Sequence, residues 1–265
     1  MKAMRRRLRN DPEKACETMF STINWRIIMK LLWLSFIITI GLLTYRIDTR
    51  ANEQKKDDGP WTTEFAVEKD ELSGAGRNPY FILEPGYQLA FDGGKERLVI
   101  TVLDETKIVD GVETRVVEER ETKDGKLVEV SRNYFAISRR TNDVFYFGED
   151  VDIYKADKVA GHSGAWRAGV KGARFGLMMP GQARLKARYY QEIAPGVAMD
   201  RAEIVSLSET IKTQAGEFKN CLKVEETTPL EPGVKEYKYY AAGVGLVQDG
   251  SLKLVKYGKA EKPKN

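Results

Sequence analysis

The chain is poor in the side chains that most often carry chemistry. Of 265 residues one is histidine, His162, and two are cysteine, Cys16 and Cys221. A single histidine excludes a histidine-based zinc site, and two distant cysteines do not supply the missing ligands. There is no P-loop, no dinucleotide fingerprint on a strand–helix unit, no HExxH and no GxSxG. The glycines of GAGR (74–77) are too few and too isolated to cradle a phosphate, so no nucleotide is expected as cofactor or partner. The body also lacks an excess of positive charge. Residues 1–50 carry ten Lys or Arg against four Asp or Glu, whereas residues 51–265 carry 33 against 35. The formal charge of +4 therefore belongs to the N-terminal end. The body has little electrostatic basis for binding nucleic acid, which depends on phosphate neutralisation.

What the chain does have is one long apolar run. From Leu31 to Tyr45 no residue is charged, and from Ile27 to Tyr45 only Lys30 is. As a helix these 19 positions span roughly 29 Å, close to a bilayer's hydrocarbon core. Only a helix satisfies its own backbone polar groups there. Lys30 sits near one end, where its ammonium can reach the interface, and Trp33 and Tyr45 fit the two headgroup levels. Lys2, Arg5, Arg6, Arg7 and Arg9 precede the run, so the N-terminus is expected in the cytoplasm. The expected organisation is a basic cytoplasmic head (1–25), a transmembrane helix or signal anchor in contact with membrane lipid (26–47), a linker (48–62), one extracytoplasmic β-rich domain (63–258) and a polar tail (259–265). That places the protein in the inner (plasma) membrane, single-pass, with its main domain in the periplasm. Secretion after signal cleavage is the competing reading, although GLLTYRIDTRANEQ offers no clear small-x-small cleavage site.

The body alternates strand-like runs with turns. FDGGK, VDGV and KDGK separate RLVITVLDETKI, ETRVVEERET and LVEVSRNYFAIS. Asp-Gly between β-branched runs is a strong hairpin signal. Thr63–Val67 reads as a short first strand, and Tyr87, Leu89 and Phe91 alternate in the first clear one. Residues 149–181 hold six glycines and few β-runs and read as a long connection or lid-like crossing. Meander signals resume through RAEIVSLSETIKT, FKNCLKVEETT, VKEYKYYA, GVGLVQDG and SLKLVKYG. The expected fold is mainly all-β, with ten to twelve strands in a curved antiparallel meander that forms a half-barrel or barrel-like sheet. Strand alternation sets Phe218, Leu222 and Val224 on one face and Cys221 on the other. With Cys16 on the opposite side of the membrane, no disulfide is expected.

Three sets of residues are candidates for a site. Glu149, Asp150 and Asp152 in YFGEDVDIY offer oxygen ligands for calcium, without the EF-hand spacing. Glu149 and Asp150, with Glu192 or Asp200, offer a carboxylate pair for glycan hydrolysis if about 5–9.5 Å apart. The aromatic and Met residues Tyr146, Trp166, Met178, Met179, Tyr189 and Tyr240 suit core packing or the wall of a cavity for an apolar ligand. Each acid also suits an ordinary solvated surface, and His162 an ordinary loop.

NPYFILEPG (78–86), TKIVDGVETRVV (106–117), NYFAISRRTNDVFYFGED (133–150), SGAWRAGVKGARFGLMMPG (163–181), YYQEIAPGVAMDRAEIV (189–205) and TPLEPGVKEYKYYAAGVGLV (228–247) together resemble a family of uncharacterised bacterial exported proteins, many of them lipoproteins. The resemblance covers most of the body and implies one exported domain, with no catalytic residue to carry over. Asn133-Tyr134-Phe135 stands where the family pattern has Asp-Trp-Tyr, and Asn142-Asp143-Val144-Phe145-Tyr146 where it has Gly-Asn-Val-Trp-Tyr. Aromatic bulk is kept while an acid is lost, as packing rather than chemistry would require. At the level of fold the chain resembles the half-barrel of lipoprotein carriers, an analogy that carries little functional weight.

The leading expectation is a binding protein of the cell envelope without enzymatic activity, for an apolar or amphipathic ligand or a protein partner. A carboxylate-pair hydrolase and a structural or calcium-stabilised module are the alternatives. No other cofactor is expected.

Overall fold

The computed structural model describes residues 59–260. The basic head, the apolar run at 26–47, Cys16, the linker to residue 58 and the last five residues lie outside them. Among the described residues no helix is long and apolar enough to cross a membrane.

A 3-10 turn at Lys69–Glu71 precedes β1 (Leu72–Ser73), β2 (Gly76–Asn78), β3 (Phe81–Leu83) and β4 (Tyr87–Asp92). Long strands follow: β5 (Glu96–Val109), β6 (Val112–Lys123), β7 (Lys126–Ser138) and β8 (Val144–Lys155). Then come β9 (Lys158–Gly161), β10 (Trp166–Arg167), β11 (Arg174–Met179), β12 (Arg188–Tyr190) and β13 (Glu192–Ile193). The chain ends with β14 (Arg201–Thr213), β15 (Gly216–Thr227), β16 (Glu236–Ala241), β17 (Gly245–Asp249) and β18 (Leu252–Lys259). The all-β, antiparallel reading holds.

The Asp-Gly signals act as expected. Asp110-Gly111 and Asp124-Gly125 all have positive φ, between 48° and 76°. They close two-residue loops between Val109 and Val112 and between Lys123 and Lys126. Such turns match the right-handed twist of the strands they join.

The sheet runs β12-β14-β15-β16-β17-β18-β4-β5-β6-β7-β8-β11-β13. Two features bring it nearly to closure. First, β18 returns to β4, pairing Lys259 with Tyr87 and Lys253 with Asp92. Second, Gln191 alone separates β12 from β13, so one stretch borders both ends of the sheet. Tyr189 pairs with Ala202 of β14, and Glu192 pairs with Phe175 of β11. A nearly closed barrel leaves little free edge, which limits edge-to-edge association.

The core follows period-2 burial where one face is wet, as in β4, where Tyr87, Leu89 and Phe91 are buried. Between Tyr134 and Ile137, and again between Val144 and Glu149, every residue is buried. There both faces are covered. On one, Tyr146 stacks on Phe135 at 4.6 Å and meets Trp166 edge-on at 5.4 Å. On the other, Phe147 stacks on Phe175 at 4.9 Å, and Phe65 meets Phe145 edge-on at 5.9 Å. Such pairs add to the area they bury.

Several local expectations are corrected. Residues 149–181 are no crossing loop: they complete β8 and supply β9, β10 and β11. The β8–β9 hairpin turns on Ala156-Asp157, both at positive φ without a glycine to announce it. These extra pieces, with β1 to β3, raise the strands among the described residues to eighteen. Thr63–Val67 is not a strand; only Thr62 forms a bridge, parallel to Tyr189. Cys221 and Leu222 are both buried, because Asn220 at φ 54° interrupts the alternation.

Asn78 latches the β2–β3 hairpin to the barrel. Its amide donates to the carbonyls of Asn142 and Pro180, each at 2.9 Å, and its Oδ1 accepts from the Tyr80 amide at 2.7 Å. The docked hairpin carries Tyr80, Phe81 and Ile82 to the wall of an internal cavity.

Candidate functional site: an apolar cavity with a charged lining

The barrel encloses a partly open cavity. Its empty space is about 680 Å³, counted out to the open mouth. Leu89 of β4, Leu98, Ile100 and Val102 of β5, Val117 of β6 and Phe135 of β7 form one side. Met178, Tyr240, Val244 and Leu246 also line it. The inward positions of alternating strands build this wall, as strand periodicity requires.

Three charged side chains reach the cavity: Glu119, Lys238 and Asp249. The Lys238 ammonium lies 2.7 Å from Glu226 Oε2 and 3.9 Å from Asp249 Oδ2. Burial opposes the charge on Lys238, but Glu226 and Asp249 outweigh it and hold its pKa well above the usual value. Gln191, in the closing stretch, donates from Nε2 to Glu226 Oε1 at 3.1 Å and touches Met178 Sδ at 3.6 Å. The polar cluster thus joins the seam of the barrel to the cavity wall. Burial, then the nearby carboxylate of Glu226, push the hydroxyls of Tyr189 and Tyr240 up. The Tyr189 hydroxyl has no hydrogen-bond partner among the described residues.

The sequence candidates divide among several places. Met178 and Tyr240 line the cavity. Tyr146, Trp166, Met179 and Tyr189 are buried in the core around it. The Tyr146 hydroxyl donates to Asn133 Oδ1.

The acids sit on several elements: Glu149, Asp150 and Asp152 in β8, Glu192 in β13, and Asp200 just before β14. Glu149 is buried and lies in register with Asn133 and Trp166. Asp150, half-exposed, accepts from the Tyr134 hydroxyl at 2.6 Å and holds Arg167 Nη2 at 2.6 and 2.7 Å. Burial raises the Asp150 pKa, but the bonds from Tyr134 and Arg167 outweigh it and hold the carboxyl below the usual range. Asp152 Oδ1 lies 3.0 Å from His162 Nδ1, which is also 2.8 Å from the Val151 carbonyl. With acceptors on both sides, that ring nitrogen carries the proton. Glu192 is buried in β13, and the Asp200 carbonyl accepts from the Gln191 and Glu192 amides. No group of three or more His, Cys, Asp or Glu among the described residues is arranged to hold a metal. Cys221 is buried, its thiol donates to the Phe218 carbonyl at 3.4 Å, and burial pushes its pKa up.

Sequence reasoning passed over Lys238, Glu226, Asp249, Glu119 and Gln191. One signal was present: in EYKYY, Lys238 lies two residues from the buried Tyr240, so strand periodicity places both on the inner face. No family model, curated protein or solved structure matches the chain.

Proposed function

We propose that the chain is a membrane-anchored, extracytoplasmic binding protein whose barrel holds an apolar or amphipathic ligand. The observation that carries this reading is the partly open cavity, walled by Leu89, Leu98, Ile100, Val102 and Phe135, with Lys238 and Asp249 reaching it. Ligand sites are commonly concave, mostly apolar and furnished with a few polar groups. The apolar run at 27–45, charged only at Lys30 and behind a basic head, supports anchorage with the body outside the cytoplasm. The resemblance to exported bacterial proteins supports the same location.

The hydrolase reading has weaker support. It needs two carboxylates across a cleft, whereas Asp150 is held by Tyr134 and Arg167 and its neighbour Glu149 is buried. The test of binding is mass analysis of a solvent extract of the full chain purified from membranes. A defined amphiphile retained at near-stoichiometric amount supports the proposal. An extract with only the bulk lipid composition of the membrane counts against it.

A further inference from the structure

We propose that the cavity recognises an uncharged carbonyl oxygen on an otherwise apolar chain, with the Tyr240 hydroxyl as the donor that holds it. This rests on the reading that the cavity holds an apolar or amphipathic ligand, and adds the polar group by which it is recognised. Three tyrosines line the cavity: Tyr80, Tyr87 and Tyr240. The Tyr87 hydroxyl donates to the Val244 carbonyl at 2.9 Å, and Tyr80 is half-buried. Tyr240 is only 3 % exposed, yet its hydroxyl makes no hydrogen bond to the protein among the described residues. In the core around the cavity the Tyr189 hydroxyl is likewise without a partner among the described residues. Glu226, whose charge acts on both tyrosines, is taken at Oε1 by Gln191 at 3.1 Å and at Oε2 by Lys238 at 2.7 Å. Near Glu226 the wall therefore holds more hydroxyl donors than acceptors to receive them. A buried hydroxyl without a partner costs free energy, which a ligand bringing an acceptor recovers. Burial, then the carboxylate of Glu226, keep Tyr240 protonated, so it remains a donor. An ester or ketone oxygen accepts that bond and brings no charge, whose transfer to an apolar site costs far more than that of a carbonyl. The rest of the ligand packs on Leu98, Ile100 and Phe135.

The test uses the full chain in alkyl maltoside micelles and two photoreactive probes of equal length, a plain alkane and one with an isotope-labelled ketone in its chain. Cross-linked peptides are mapped and quantified for the segments 96–102 and 236–246, which contain lining residues. The inference expects the ketone probe to label these segments about fivefold or more above the alkane, the factor one neutral hydrogen bond supplies. In Tyr240→Phe, with Tm as the check on folding, it expects the two probes to label alike. In the parent, the infrared carbonyl band of the bound ketone should lie below that of the same probe in empty micelles, because a hydrogen bond weakens the C=O stretch. That band decides the matter if the variant does not fold. Equal labelling in the parent, a preference kept in folded Tyr240→Phe, or an unshifted carbonyl band overturns the inference and leaves the binding function standing. Labelling of these segments by neither probe overturns the binding function, and the inference with it.

Discussion

Gly176 of β11 lies directly against the backbone of Gln191, the residue that joins the two ends of the sheet. A Cβ at position 176 would stand 2.6 Å from the Tyr190 carbonyl oxygen and closer still to that of Gln191. These are backbone atoms, so no side chain can swing away to make room. Gly176→Ala is expected to open the seam and cost about 3 kcal/mol, the upper range for overpacking. For a body of this size each kcal/mol lowers Tm by roughly 2–4 °C. Thermal unfolding measures it; an unchanged Tm would mean that the seam does not hold the barrel.

Asn78 bears on how the β2–β3 hairpin reaches the cavity wall. Replacing it with Ala removes the donor from the Asn142 and Pro180 carbonyls and the acceptor from the Tyr80 amide. Buried groups left without partners cost about 1–3 kcal/mol each, so Asn78→Ala is expected to lose about 3 kcal/mol. Hydrogen exchange should show faster exchange of the Phe81–Leu83 amides. Protection unchanged there would refute the latch.

The Tyr134–Asp150–Arg167 cluster makes a pH prediction. Asp150 has a folded pKa below its unfolded value, because Tyr134 and Arg167 overcome the effect of burial. Its contribution to stability is therefore present above about pH 4 and lost as pH falls through the depressed folded value. As the side chain is 48 % exposed, solvent screening limits that contribution to about 1 kcal/mol. Asp150→Asn should be less stable than the parent at neutral pH, and the gap should narrow below about pH 4. Denaturant titrations across pH decide it; a gap that widens in acid would have the wrong sign.

Lys238 and Glu226 form a charge pair inside the wall. Glu226→Gln takes the nearer acid from Lys238 and leaves it only the longer contact to Asp249, so it is expected to cost about 2 kcal/mol. The double variant Lys238→Met with Glu226→Leu should recover most of that loss, because apolar replacements of similar size avoid the desolvation of both charges. A double-mutant cycle by chemical denaturation measures the coupling. Additive losses would show that the two side chains act independently.

Much of this fold was legible in local chemistry. Asp110-Gly111 and Asp124-Gly125 announce their hairpins, and the alternation of Tyr87, Leu89 and Phe91 announces the inner face of β4. The hairpin at Ala156-Asp157 was hidden because its turn has no glycine, and so 149–181 read as a loop. Closure was hidden for another reason. It depends on β18 pairing with β4 from the far end of the body and on Gln191 bridging two short strands, contacts that leave no periodic mark. Of the candidate site, Met178 and Tyr240 were legible as apolar bulk. Lys238 was legible only through its spacing from Tyr240, and Glu119 and Asp249 were not, since a charged residue in a strand ordinarily faces water.

On the proposed function the ligand sits in the cavity. Ile100 lines it, opposite Glu119 in the β5–β6 pair, and Ile100→Trp would fill it. The decisive measurement is the amount of amphiphile co-purifying with the full chain, parent against Ile100→Trp, with equal Tm as the check that the variant is folded. A ligand near one per chain is expected in the parent, with a loss of about tenfold or more in the variant, the factor that about 1.4 kcal/mol of lost binding would produce. Equal ligand in a folded Ile100→Trp chain would contradict it.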